Sequence, residues 1–173
     1  MMMKIKLLFA SLILLSSFNP LDARETRAQQ NPAPDVREVF LYFPKDGESG
    51  NSHKNPFNLQ AVTRKVSPEA PLRPTLEALL AGVTDEEANQ GFRPLDTEGM
   101  RIVGLMIKSR TAYASFAHRK GAGWGGDLSP ATFRYAVERT IRQFPSVRRV
   151  RLCVDGAENF DTLESGERVR KCQ

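Results

Sequence analysis

The stretch from Ser129 to Phe144 limits the fold more than any other. Phe133, Ala136, Val137, Thr140, Ile141 and Phe144 recur at spacings of three and four, which puts all six on one side of an α-helix. Arg134, Glu138, Arg139 and Arg142 fill the opposite side, with Glu138 and Arg142 at ion-pair spacing. Ser129 is placed to cap this helix, Pro130 fits its first turn, and Pro145 stops it. A helix with one apolar stripe must lay that stripe on another apolar surface. The sequence offers strands on both sides of it.

Thr111–Ala117 (TAYASFA) and Met100–Lys108 (MRIVGLMIK) read as two strands joined by a turn near Ser109 and Arg110, a hairpin pattern. Val103, Leu105 and Ile107 share one face of the first strand, and Ala112, Ala114 and Phe116 share one face of the second. Val147–Val154 (VRRVRLCV) alternates again: Val150, Leu152 and Val154 point one way, Arg149 and Arg151 the other. Upstream, EVFLYF at Glu38–Phe43 and LQAVTRKV at Leu59–Val66 are two further strands around the loop Pro44–Pro56. A leucine-striped helix follows, with Pro74 near its start and Gly82 at its end. Thr84 caps a short helical turn that Gly91 closes. Asn159–Leu163 reads as a last short strand. Mostly antiparallel strands with two helices packed on one face make an α+β fold.

The N-terminus has a different composition. Lys4 and Lys6 precede the apolar run Leu7–Phe18, and Ala23 or Ala28 supplies a small residue for cleavage, which is the pattern of a secretory signal. The run is shorter than the roughly 20 residues of a membrane span. Removal at Ala23 takes Lys4, Lys6 and Asp22 and leaves a mildly basic +4 from the full chain's +5. The organisation expected is a signal over 1–23 (cleaved as late as 28), a linker over 24–36, one domain over 37–163 and a tail over 164–173. No cysteine lies near the signal to carry a lipid anchor. Such a chain is expected outside the cytoplasm: periplasmic, secreted or associated with the envelope.

In an exported chain, Cys153 and Cys172 read as a disulfide, with two free thiols as the alternative. Cys153 shares the polar face of its strand with Arg149 and Arg151. A turn at Asp155-Gly156 and another at Ser165-Gly166 would return Arg168–Cys172 alongside it. The expectation is one bridge fastening the basic tail.

Catalytic chemistry finds little support. His53 and His118 both fall in loops. Ser115, His118 and Asp127 form a trio that composition supplies by chance, with no nucleophile-elbow motif around the serine. Gly121–Gly126 (GAGWGG) lacks the Lys-Ser/Thr of a phosphate loop. Two cysteines and two distant histidines make no metal site. No cofactor, metal or catalytic residue is expected. Trp124 either marks a contact surface or folds over the edge of the core. Arg139, Arg142, Arg148, Arg149 and Arg151 form the densest charge cluster, and a solvated face explains them as readily as a binding surface. The charge is too mild to indicate nucleic acid.

Four stretches, VFLYF (Val39–Phe43), LEALLAGVTDEE (Leu76–Glu87), TAYASFA (Thr111–Ala117) and FPSVRRVRLCVDG (Phe144–Gly156), occur in an order that resembles the GerMN domain of sporulation and spore-germination proteins. The resemblance covers about Arg37 to Leu163. Val83 stands where that family commonly has proline, and Ser115 where its hairpin often has aspartate. The sporulation proteins carry tandem copies and resemble ring-building domains; one copy is present here. The resemblance implies an exported domain that mediates protein interaction or assembly in the cell envelope, with an envelope protein or a second copy as partner and no catalytic residues to carry over. Trp124, Arg149 and Arg151 are the candidate contacts. The rival expectation is a binder of cell-wall glycan such as peptidoglycan, or of a small ligand, through Trp124 and the aromatic first strand.

Overall fold

The computed structural model describes residues 35–47, 57–162 and 167–172. The signal segment and nearly all of the linker lie outside the described residues. So do His53, most of the loop before Pro56, and the turn at Ser165-Gly166.

The fold is α+β. Strand β1 (Arg37–Pro44) pairs antiparallel with β2 (Leu59–Val66). Helices α1 (Leu72–Ala81) and α2 (Asp85–Asn89) follow, then β3 (Arg101–Lys108), β4 (Thr111–Ala117), α3 (Ser129–Arg142) and β5 (Arg149–Val154). The strands form two sheets: the β1–β2 pair and a three-stranded sheet ordered β3-β4-β5. β3 and β4 are antiparallel, whereas β4 and β5 are parallel. α3 accounts for the parallel pair. It carries the chain back across the sheet, so β5 starts again at the end where β4 started.

The stripe of α3 is buried as expected: Phe133, Ala136, Val137 and Ile141 have no exposed surface, nor does Thr140. Phe133 meets Phe116 of β4 edge-on at 5.1 Å between ring centroids. Val39, Leu41 and Phe43 of β1 and Leu76 and Leu79 of α1 complete the same core.

Both long helices begin earlier than their sequence signals suggest. Pro71 caps α1, where the N–H and hydroxyl of Thr75 both donate to its carbonyl, at 3.1 and 2.6 Å. Leu128, not Ser129, precedes α3, and Thr132 donates to the Leu128 carbonyl in the same way. Prolines at the second and third helical positions are tolerated because first-turn amides have no partner inside the helix. Thr84 does cap α2, in a reciprocal capping box with Glu87.

Strand β3 departs from the simple alternation. The register shifts between Ile102 and Gly104, a bulge at Val103. Ile102 and Leu105 pack toward the core, while Val103 and Ile107 are exposed. An extra residue in an antiparallel ladder flips every side chain beyond it, so the expected face Val103–Leu105–Ile107 does not exist as one surface. Asn159–Thr162 forms turns instead of a strand.

The tail is tied down by a Cys153–Cys172 disulfide with Cα atoms 5.9 Å apart. Its path differs from the expected one. The tail pairs with the segment after β5, through Ala157 opposite Lys171, Glu158 N–H to Arg170 O at 2.7 Å, and Cys172 N–H to Gly156 O at 3.1 Å. Buried Asn159 fixes it further, accepting from Arg170 N–H at 2.7 Å and donating to Arg168 O at 3.0 Å.

Candidate interaction surface

The two helices cover only one face of the three-stranded sheet. On the other face the registers align residues into rows that run across all three strands. One row is Met106–Tyr113–Arg151 and the next is Lys108–Thr111–Arg149; a third is Gly104–Ser115–Cys153. Met106 is 54% exposed and Tyr113 is 37% exposed. Lys108, Arg149 and Arg151 are exposed around them. Arg149 Nε donates to Thr111 Oγ1 at 3.2 Å, which ties its guanidinium to the neighbouring strand. Arg151 approaches Glu158 at 3.6 Å but keeps most of its side chain in solvent. The result is a basic surface with a tyrosine and a methionine at its centre. Tyrosine, methionine and arginine are the residue types that protein interfaces favour.

The five arginines of the sequence cluster do not share this surface. Arg139 lies over the Tyr42 ring, 4.5 Å from its centroid, and donates to Leu59 O. Arg142 pairs with Glu138 on the helix. The structure brings Arg149 and Arg151 together and sends the helix arginines elsewhere. Met106 and Tyr113 were not singled out from the sequence. The available signal was Tyr113 on the face of β4 opposite Ala112, Ala114 and Phe116.

Trp124 is half-buried in an aromatic cluster. Its ring stacks on Phe160 at 5.9 Å, lies 5.5 Å from Phe133 and meets His118 edge-on at 4.8 Å. The ring folds over the edge of the core, as one of the two expectations for this residue has it.

His118 follows β4 in a loop, as expected, but it is held inside the fold. Its side chain is 4% exposed, and Nδ1 lies 2.6 Å from Asp155 Oδ2. The other oxygen of Asp155 accepts the His118 backbone N–H at 3.0 Å. Asp155 adopts φ 50° to do this. One carboxylate therefore pins the exits of both parallel strands. His118 Nε2 is buried with no hydrogen-bond partner, beneath Trp124. The pair acts as a clamp. Its carboxylate is Asp155, which sequence spacing did not indicate, not Asp127. Among the described residues no group of His, Cys, Asp and Glu is arranged to hold a metal ion, and no helix is long and apolar enough to cross a membrane.

A groove of about 590 Å³ opens beside β3 at the end nearest its hairpin turn. Leu72, Leu105, Ile107, Phe144 and Pro145 supply apolar walls, and Arg37 and Arg73 also line it. Arg37 lies over the Phe144 ring at 5.3 Å.

The family model described as "Germane: Sporulation and spore germination" matches residues 40–160. This chain belongs to the GerMN (Germane) family. Among solved structures, the tandem GerMN domains of the sporulation protein GerM from Bacillus subtilis align at a TM-score of 0.54 and 15% identity. That alignment covers 77% of this chain and 44% of the tandem protein, so the chain spans less than half of that relative. The first GerMN domain of the same protein aligns at 0.45 and 23% identity, covering 70% of this chain and 84% of that one. A protein of Clostridium perfringens described as a lipoprotein aligns at 0.41 and 18% identity, covering 69% and 75%. No curated protein matches. At 15% identity the tandem-domain structure bears on the fold alone.

Proposed function

We propose that this GerMN domain is a non-catalytic interaction module that works outside the cytoplasm, docking an acidic surface of an envelope protein on the uncovered face of its three-stranded sheet. The observation that carries this reading is the row Met106–Tyr113–Arg151 beside Lys108 and Arg149. A sheet face without helices over it normally turns polar residues to water. Here it holds large apolar and aromatic groups ringed by cations, which an acidic partner with an apolar centre would neutralise and desolvate together. Export is supported by the Cys153–Cys172 bridge, since disulfides persist in oxidising compartments.

A photo-crosslinking amino acid at position 113, in cells that express the full chain, tests the reading. Tyr113 is exposed, so the replacement leaves the core intact. The expected result is a discrete adduct with an extracytoplasmic protein that disappears in an Arg149→Glu/Arg151→Glu variant and weakens with salt. Adducts unchanged by charge reversal, or none at all, would overturn it.

A further inference from the structure

The two sheets treat their exposed backbone edges differently. The edge of β1 away from β2 is closed by side chains of α3. Gln143 Oε1 accepts from Phe40 N–H and Gln143 Nε2 donates to Phe40 O, both at 2.8 Å, and Thr140 Oγ1 accepts from Tyr42 N–H at 3.4 Å. The edge of β3 away from β4 has no such closure. β3 pairs only with β4, and no other hydrogen bond reaches its backbone among the described residues between Ile102 and Lys108. The bulge at Val103 blunts one end of that edge, a common protection against stray pairing. It leaves Gly104–Lys108 regular and open.

This open stretch coincides with the groove. Leu105, Met106 and Ile107 belong both to the edge and to the groove wall. Ile107 is 43% exposed. The groove volume lies within the range of about 300–1,000 Å³ typical of ligand sites. No acidic residue lines it, while Arg37 and Arg73 do. Arg73 has only the exposed partner Glu77 at 3.5 Å, and Arg37 has no carboxylate within ion-pair distance among the described residues.

We infer that β3 accepts an extended segment of a partner protein as an added strand, with apolar side chains in the groove and an acidic residue against Arg37 and Arg73. Main-chain pairing supplies affinity in this mode, and pockets for alternate side chains supply selectivity. The partner is acidic because the site is basic throughout: Arg101 and Lys108 bound the strand itself. A second copy pairing β3 to β3 would bring these like charges together and leave both grooves without a carboxylate. The inference rests on the proposed role in protein interaction and names a mode for it.

The test uses the full chain and a displayed library of random peptides about ten residues long. Selected peptides are expected to alternate apolar residues, to carry an acidic residue, and to slow amide exchange at Gly104–Lys108. N-methylation of alternate peptide amides should weaken binding by at least about tenfold, and so should Arg37→Glu or Ile107→Lys in variants whose thermal melts are unchanged. No selected sequence, binding indifferent to N-methylation, protection mapped elsewhere, or dimerisation through β3 in light scattering would each overturn the inference. Adducts at position 113 that persist while β3 binds no peptide would leave the proposed function standing and remove this mode alone.

Discussion

Gln143 substitutes for a strand, and removing it tests whether α3 holds β1 in place. Its amide exchanges two hydrogen bonds with the Phe40 backbone and donates a third to Thr140 O at 2.7 Å, closing the last turn of the helix. Gln143→Leu replaces the amide by a shorter apolar side chain and deletes all three. Phe40 is 47% exposed, so water can re-satisfy part of what is lost. A net hydrogen bond is worth about 0.5–1.5 kcal/mol, which with partial hydration gives about 1–2 kcal/mol here. For a domain of this size each kcal/mol moves Tm by roughly 2–6 °C. The expected drop is therefore about 2–12 °C. Gln143→Glu should cost more at neutral pH, because its carboxylate would face the carbonyls of Phe40 and Thr140. Part of that excess should return in acid, where a protonated carboxyl can donate again. Native-state amide exchange at Phe40 gives the local readout, since its N–H loses the Gln143 Oε1 acceptor. A Gln143→Leu variant within about 0.3 kcal/mol of wild type, with unchanged Phe40 exchange, would show that core packing alone fixes β1 and would refute the reasoning.

Phe133→Ala removes a fully buried ring from between β4 and the Trp124–Phe160 cluster; a loss of about 3–5 kcal/mol in denaturant unfolding is expected, with a red shift of Trp124 emission. Cys172→Ser opens a bridge of sequence separation 19 and should cost about 3 kcal/mol by the loop-entropy argument; reductant should then leave the variant's Tm unchanged while lowering that of wild type. Glu87 is held below its ordinary value of 4.5, first by its hydrogen bond to Arg64 and further by the Thr84 backbone, against the opposing effect of burial. That contribution is fully present above the unfolded carboxylate range and is lost as pH falls through the lower folded value. Glu87→Gln should therefore cost about 1–2 kcal/mol at neutral pH, with the gap closing below pH 4.5 in paired thermal melts.

Periodicity located the elements from β1 to β5, because each one's burial pattern is written in its own residues; the strand expected from Asn159 is the exception, since Asn159–Thr162 forms turns. The stripe of Phe133 to Phe144, the alternation of Ala112, Ala114 and Phe116, and the turn at Ser109-Arg110 are local, and the structure keeps them. The Thr84 cap is local in the same sense, since Thr84 and Glu87 stand three residues apart. Recognition of the family rested on the order of these same segments. The Cys153–Cys172 pairing was legible as well, because only two cysteines were available to pair.

What depended on distant parts of the chain was not legible. The alternation of β5 separates Arg149 and Arg151 from Val150 and Leu152, but only the landing of α1 and α3 decides which sheet face stays open. The bulge at Val103 is set by how β3 meets β4, so the exposure of Ile107 and the groove beside it follow from pairing. His118 looked like a loop histidine because the carboxylate that holds it, Asp155, lies 37 residues away. The edges differ for the same reason: Gln143 reaches Phe40 across 103 residues, and among the described residues no side chain bonds to the outer edge of β3. Local sequence determined which elements form and which side of each is apolar. Tertiary packing decided which apolar sides and which backbone edges were left open, because that depends on what else the chain brings to cover them.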